Sequence, residues 1–482
     1  MALLVLAAWY LPFAAHVGLT GFVADDALYL LMADAFGATE PDDMMLNYVL
    51  QVAHLPPLYP LVLALAGGGS ATLQIAHFVQ AVLVLIALLT HGWLAREVFI
   101  SDRHGLLVLL ILATLPATLL LSTELWSEFL YLALSGGALI AALAARRYPP
   151  WWLLVAVLTG LAAVTRGAGA VLIAALLVTL AVRARRYVLP CSLLAVLPLL
   201  AVAALGLGGS SDYVEIFSRG VGDPAGLRSV VAGNLDALWH GYLTLFDPQP
   251  GRITEIVGAA TLFLALFGLM WRLGAHELDA YYVAGYGLLL LVWPYPDHAP
   301  RLVYAIAPLL IILAGVGSAS LGALVDWLLG SRPASLPLLA LLVLSCASSA
   351  PLAGRYLTRL PSDLDGYHAT RYWLSAASPA AGTADLRVKR AMARLMENAG
   401  SVVSPRDCIY ARNPQAVMFY ARRVSWPPAT GDRRPTRPRC RFHLLLADDQ
   451  VVTNYRALWP TYEVALQEEV AGGTAGVLVR YP

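Results

Sequence analysis

Apolar residues run in long, nearly unbroken stretches from the N-terminus to about residue 350, where the pattern breaks. A helix needs ~20 mostly apolar residues to cross a hydrocarbon core, and on that criterion the chain holds about eleven spans. They lie near 2–20, 72–95, 105–121, 129–145, 151–165, 168–183, 188–208, 255–273, 280–294, 302–320 and 335–350. The first has no basic flank and is too long an apolar run for a removed signal peptide, so it is expected to stay as a membrane helix, kinked at Pro12. Past residue 350 the apolar runs shorten to strand length. Cys408–Ala411, Phe442–Ala447, Glu463–Leu466 and Gly476–Tyr481 read as strands, and 365–376 and 385–398 as helices. The expected fold class is an α-helical polytopic membrane protein over 1–350, followed by a small α/β domain outside the membrane over 351–482.

The arginines orient these spans. Arg96, Arg103, Arg146, Arg147, Arg183, Arg185, Arg186, Arg272 and Arg332 fall on alternate junctions, all on one side of the map. Basic residues gather on the cytoplasmic side. An odd number of spans then puts the N-terminus in the cytoplasm and the C-terminal domain outside a plasma (inner) membrane. The other side collects two long polar loops, 21–71 and 209–254. Within the first, Pro56–Leu65 suits a short helix lying in the interface; within the second, Leu235–Phe246 has an amphipathic pattern that suits the membrane surface.

Composition agrees with this picture. Charged residues are 13% of the chain, about half the share in soluble domains. A net charge of +1 gives no reason to expect a nucleic-acid partner. The single lysine, Lys389, lies in the C-terminal region, so any cation working near the membrane is arginine or histidine. Arginine suits phosphate, because its planar fork of donors meets two oxygens at once. Cys191 and Cys346 lie in apolar runs and read as packing residues. Cys408 and Cys440 both precede strands; an oxidising compartment would permit a bridge between them, but spacing alone does not fix its geometry.

Five polar elements share the outer side of the map. They are Asp25-Asp26-x-x-Tyr29, His54-x-Pro56-Pro57-Leu58-Tyr59, Ser127-Glu128, Thr165-Arg166-Gly167, and Arg301 leading into Val303-Tyr304-x-x-x-Pro308. In order and topology they resemble the GT-C superfamily of membrane glycosyltransferases, above all the bacterial aminoarabinose transferases and their protein O-mannosyltransferase relatives. The resemblance covers roughly residues 1–320. It departs from the family in two places: Asp26 stands where Glu is common, and Leu55 separates His54 from the prolyl pair.

The resemblance implies transfer of a sugar from a polyprenyl-phosphate donor to an acceptor hydroxyl or phosphate of a lipid, protein or polysaccharide. Phosphate leaves without protonation, so one base and one or two cations suffice. Asp25 matches the base and Asp26 a supporting acid; the alternative is that the pair caps the following helix. Arg301 and then Arg166 match donor-phosphate ligands, with His54 and Tyr59 grouped beside them; an interfacial arginine reaching lipid headgroups is the alternative for Arg301. Glu128 is placed to orient the acceptor, to hold a divalent metal ion with Asp25, or to cap its helix. No tight metal-ligand spacing, nucleotide-binding loop or other cofactor motif is visible. A transporter is the competing class. It would place polar groups at mid-span in paired broken helices, whereas here the spans are nearly free of charge.

Overall fold

The computed structural model describes residues 25–37, 55–207, 224–247, 250–293, 298–329, 379–426, 440–446, 463–470 and 473–480, with isolated positions that include Tyr10, Thr20 and 48–50. The spans expected at 2–20 and 335–350, the helix at 365–376 and the boundary at 350 lie wholly or mostly outside these residues.

The helical part begins with α1 (Asp26–Gly37) and α2 (Leu58–Leu65), followed by α3 (Leu73–Phe99), α4 (Asp102–Thr114) and α5 (Pro116–Ser122). Next come α6 (Glu128–Ala145), α7 (Trp151–Ala163), α8 (Gly169–Arg183), α9 (Val188–Ala204) and α10 (Pro224–Thr244). It closes with α11 (Arg252–Gly274), α12 (Leu278–Leu291), α13 (Ala299–Tyr304) and α14 (Ala307–Leu329). Each helix in the bundle packs on neighbours in space: α3 on α4 and α6, α6 on α7, α7 on α8 and α9, α8 on α12, and α11 on α14. Gly268 of α11 and Gly317 of α14 lie so close to the opposing backbone that neither position has room for a Cβ. Small residues let two apolar helices meet closely where no hydrophobic effect drives them together.

Among the described residues, four helices are long and apolar enough to cross a membrane: α3, α6, the stretch Arg185–Ala204 that ends in α9, and α11. The pair α4 and α5 makes a fifth if its 61° bend counts within one span. Pro116 causes that bend: it has no N–H to give, and it forces Leu115 into extended backbone (ψ 129°). The expected number was about eleven. Helices α7, α8, α12 and Ala307–Leu321 are apolar but shorter. Two of the expected spans, 2–20 and 335–350, fall wholly or mostly outside the described residues; for the others these runs stop early. The apolar runs of α7 and α8 are cut by the tight turn carrying Arg166, and α12 ends at Leu291 before the polar segment leading to Arg301.

Two ends of the bundle are polar. Glu128 opens α6 and Arg146 follows it, so 18 helical residues separate the ends, about 27 Å at 1.5 Å per residue. At the distal end, Asp279 receives Arg272 through two hydrogen bonds of 2.7 and 2.9 Å. Beside it, Glu277 pairs with Arg146 and, at 3.0 Å, with Arg183. Three of the arginines that sequence alone assigned to the cytoplasmic side, Arg146, Arg183 and Arg272, thus pair with these two acids.

The C-terminal part holds α15 (Pro379–Val402), β1 (Ile409–Ala411), α16 (Pro414–Ala421), β2 (Ser425–Trp426), β3 (Phe442–Leu446), β4 (Glu463–Val470) and β5 (Gly473–Arg480). The sheet order is β2-β1-β3-β5-β4. The first three strands are parallel and the last two pairings antiparallel. All four expected strands are present. The strand β2 and the helix α16 were not anticipated; Asn413 caps α16 by accepting the Ala416 N–H at 3.1 Å. Met392, Leu395, Met396 and Ala399 of α15 pack on Ile409, Leu444 and Leu478 of the sheet as a separate core. Cys408 and Cys440 form a disulfide across the starts of β1 and β3.

Candidate active site

Asp25 sits immediately before α1, and its carbonyl accepts the Tyr29 N–H at 3.0 Å as the helix begins. Its carboxylate therefore projects from a fixed helix start. Asp26 does different work: its carboxylate accepts the Ala27 N–H at 2.7 Å, and the side chain is buried. Glu128 is brought in by the turn between α5 and α6. Gln80 of α3 pins that turn by donating to the Glu124 carbonyl at 2.7 Å and the Trp126 carbonyl at 3.3 Å. Arg166 comes from the turn between α7 and α8, and Arg301 from the six-residue helix α13.

These four residues meet. Arg301 Nη1 donates to Asp25 Oδ2 at 2.9 Å, while its Nε donates to Glu128 Oε1. Arg166 pairs with that same Glu128 oxygen. The result is a chain Asp25–Arg301–Glu128–Arg166, two carboxylates against two guanidinia. Trp126 lies flat beneath it, with Arg301 Cζ 4.2 Å from its ring centre. The aromatic face attracts the cation and shields it from water. Side-chain exposure is 0% for Glu128, 10% for Arg301, 11% for Arg166 and 24% for Asp25. Asp25 is thus the group most open to an incoming molecule. Burial works against the Arg166 charge, but Glu128 more than offsets it and holds the guanidinium above its ordinary value. Burial and then the Asp25 charge push the Tyr29 phenol up, so it stays protonated.

Within the described residues, three buried polar atoms here make no hydrogen bond: Glu128 Oε2, Trp126 Nε1 and Arg166 Nη1, the last of which is still ion-paired with Glu128. Leaving such atoms unpaired costs about 1–3 kcal/mol each. An acceptor and a donor kept in that condition inside a charged cluster fit a site that takes a polar substrate.

Tyr59 does not join the ion pairs. It packs edge-on against Tyr29 with centroids 5.0 Å apart, and its hydroxyl donates to Gln80 at 2.9 Å. Tyr29 in turn hydrogen-bonds Ser127 at 2.9 Å, next to Glu128. His54 lies outside the described residues. Helix α10 covers most of the Leu235–Phe246 stretch; Leu235 is exposed, Tyr242 and Leu243 at its end are buried, and so are Leu245 and Phe246 just beyond it. The helix packs against α13. A Cβ on Gly241 would sit 2.9 Å from the Ala299–Pro300 backbone, so glycine permits this contact. Asn234 donates to the carbonyls of Leu291 and Trp293 at 2.9 and 2.8 Å, ahead of the segment that carries Arg301. Sequence reasoning missed Trp126, Gln80 and Asn234. Only the nearness of Trp126 to Ser127-Glu128 offered any signal.

No three of His, Cys, Asp and Glu gather closely enough to hold a divalent metal among the described residues, and the carboxylates of Asp25 and Glu128 face guanidinia.

Solved structures decide the fold. ArnT from Cupriavidus metallidurans in its apo state superposes with a TM-score of 0.55 at 15% identity, over 98% of this chain and 96% of that one. The chain has the GT-C fold. A second GT-C structure, ArnT from the same organism bound to undecaprenyl phosphate, gives a TM-score of 0.51 at 15% identity, covering 99% and 96% of the two chains. The Archaeoglobus fulgidus oligosaccharyltransferase in complex with Zn and sulfate gives 0.53 at 13% identity, over 99% of this chain and 73% of that one. At these identities it is the GT-C fold that is shared. No protein-family model matches the chain, and no curated protein matches it in sequence.

Proposed function

We propose that the protein is a glycosyltransferase that moves a sugar from a polyprenyl-phosphate donor to an acceptor hydroxyl or phosphate on the outer face of the membrane. The observation that carries this reading is the Asp25–Arg301–Glu128–Arg166 chain, set at one end of a GT-C bundle. Its support from the neighbours is that an ArnT of this fold is described bound to undecaprenyl phosphate. The arginine pattern supports the orientation, with the distal cluster cytoplasmic and the site and C-terminal domain outside.

In the mechanism, the acceptor oxygen attacks the anomeric carbon as the bond from that carbon to the phosphate oxygen breaks. The bonding pair leaves with the phosphate, and the acceptor proton passes to Asp25. Attack opposite the leaving group inverts the anomeric centre. Arg301 and Arg166 meet the charge growing on the phosphate. Arg301 has a prior engagement with Asp25, and an arriving phosphate is a competing anion for the same Nη1. Donor binding thereby draws Arg301 toward phosphate and releases the Asp25 carboxylate as a base. Glu128 keeps both guanidinia oriented while its second oxygen faces the acceptor or the sugar. Asp26 supports the helix start beside the base, and Tyr59 backs Tyr29; a donor-side role for His54 rests on the sequence resemblance alone. The four site residues lie at or beside helix ends rather than at mid-helix, which favours this reading over transport.

The test is transfer from a panel of polyprenyl-phosphate sugars to crude membrane acceptors, with the product identified by mass. A labelled product that requires Asp25 supports the proposal. Absence of any transfer, with every donor of the panel shown intact, sinks it.

A further inference from the structure

Two residues at the end of α16 in the C-terminal domain grip the chain on either side of Asp25. Tyr420 donates its hydroxyl to the Thr20 carbonyl at 2.6 Å. Arg422 donates from Nη1 to Asp34 Oδ2 at 3.0 Å and to Ser70 Oγ at 2.8 Å. Ser70 returns its backbone N–H to Asp34 Oδ1 at 2.9 Å. Thr20 precedes Asp25 and Asp34 follows it on α1, so the two contacts bracket the base. A third contact lies alongside: Tyr48 packs at a tilt against Trp426 with centroids 4.5 Å apart and donates to the Ser425 carbonyl at 3.4 Å. Below them, Met418, Val424 and the disulfide pair Cys408–Cys440 are buried in the same apolar cluster as Leu28–Ala33 of α1.

Arg422 holds its place against a local preference. Its φ is +52°, at the C-terminal end of a helix where glycine is the usual residue. Glycine would suit the backbone and lose the grip on Asp34. The pair is also half open to water, with side-chain exposures of 43% for Arg422 and 15% for Asp34. Such a pair adds little to global stability. Its value lies in fixing geometry. Asp25 and Asp34 are nine residues apart on or beside one helix, roughly 14 Å, and a helix carries a displacement at one end to the other.

We propose that the C-terminal α/β domain is a positioning clamp for the segment 20–37, with Arg422 as its main contact and Tyr420 as its second, so that the domain sets where the Asp25 carboxylate stands. The inference rests on the reading of Asp25 as the base. It gives the domain a part in the reaction without placing any of its residues at the reacting atoms.

The test uses the full chain in detergent, comparing wild type with Arg422→Ala, Arg422→Lys and Tyr420→Phe. Two quantities are read: steady-state transfer, and hydrogen–deuterium exchange of peptides covering 20–37. In Arg422→Ala, kcat falls about tenfold while the donor KM stays within about twofold, as expected when a reacting group is misplaced but substrate binding is not. Exchange in 20–37 quickens, and Arg422→Lys restores most of both. If Arg422→Ala fails to fold, Tyr420→Phe, which loses only a hydroxyl, shows the same split in smaller degree. Unchanged exchange in 20–37 overturns the clamp whatever the activity. Faster exchange with an unchanged kcat also overturns it. A wild type with no transfer at all is instead a failure of the proposed function, and the exchange measurement then decides the clamp alone.

Discussion

Asp25 Oδ2 lies 2.9 Å from Arg301 Nη1, although 276 residues separate them in sequence. One guanidinium therefore holds the proposed base and stands ready for the proposed phosphate. Asp25→Asn keeps the shape and removes the base, so kcat falls by about 10²–10⁴-fold. Binding of the proposed polyprenyl-phosphate moiety is retained or tightened, because Arg301 loses a competing anion. Transfer kinetics beside equilibrium binding of the lipid phosphate read both. Wild-type turnover in Asp25→Asn removes Asp25 from the mechanism.

Arg301 should answer to shape as well as to charge. Arg301→Lys keeps a cation but cannot serve Asp25, Glu128 and a phosphate from one planar fork. Lipid-phosphate binding is expected to weaken in Arg301→Lys and to weaken further in Arg301→Ala. Equal, undiminished binding in both variants counts against a phosphate role.

Glu128 is wholly buried and is shared by Arg166 and Arg301. Glu128→Gln leaves two guanidinia without their common counter-charge. Breaking a buried pair by removing one partner costs about 3–5 kcal/mol, so thermal unfolding shifts down by many degrees. Adding Arg166→Gln, which removes one stranded charge, recovers part of that loss. A double-mutant cycle on thermal or chemical unfolding in detergent checks it, and strict additivity would show that the two residues do not interact.

Asn234 should act on Arg301 without touching substrate. Asn234→Ala strands the carbonyls of Leu291 and Trp293, a loss of about 1–3 kcal/mol in holding the end of α12. Gly241→Ala forces α10 away from Ala299–Pro300. Both variants are expected to lower kcat/KM for the donor while the distal cluster stays intact. Donor titrations of each variant, with unfolding curves alongside, separate this from general destabilisation.

The distal end supplies the contrasting case. Asp279→Ala leaves Arg272 without its two-bond partner in a mostly buried setting, with side-chain exposures of 11% and 4% for the pair. Stability falls by a few kcal/mol, as for other broken buried pairs. Turnover per folded molecule is unchanged, because α6 separates the two ends by about 27 Å. The Cys408–Cys440 bridge is checked more simply. Neither thiol reacts with a maleimide until reductant is added, and removing the bridge costs about 3–4 kcal/mol for a loop of this length.

The sequence by itself settled the helical, apolar character of the chain, the positions of most of its helices and the four C-terminal strands. Those features are local: they follow from runs of apolar residues and from proline, glycine and charge at their ends. It also picked out Asp25, Glu128, Arg166 and Arg301 one by one, because a charge beside an apolar run stands out. That these four form one chain of ion pairs came from the packing, since it depends on four separate parts of the chain meeting. For the same reason Gln80 and Asn234 were invisible, and only its place beside Ser127-Glu128 pointed to Trp126. Their importance comes from what they touch, and a residue type in an ordinary setting carries no mark of that. The short helices around Arg166 and Arg301 and the grip of Arg422 on Asp34 belong to the same class. Hydropathy reports how apolar a stretch is; where its ends come to rest is set by packing between parts of the chain hundreds of residues apart.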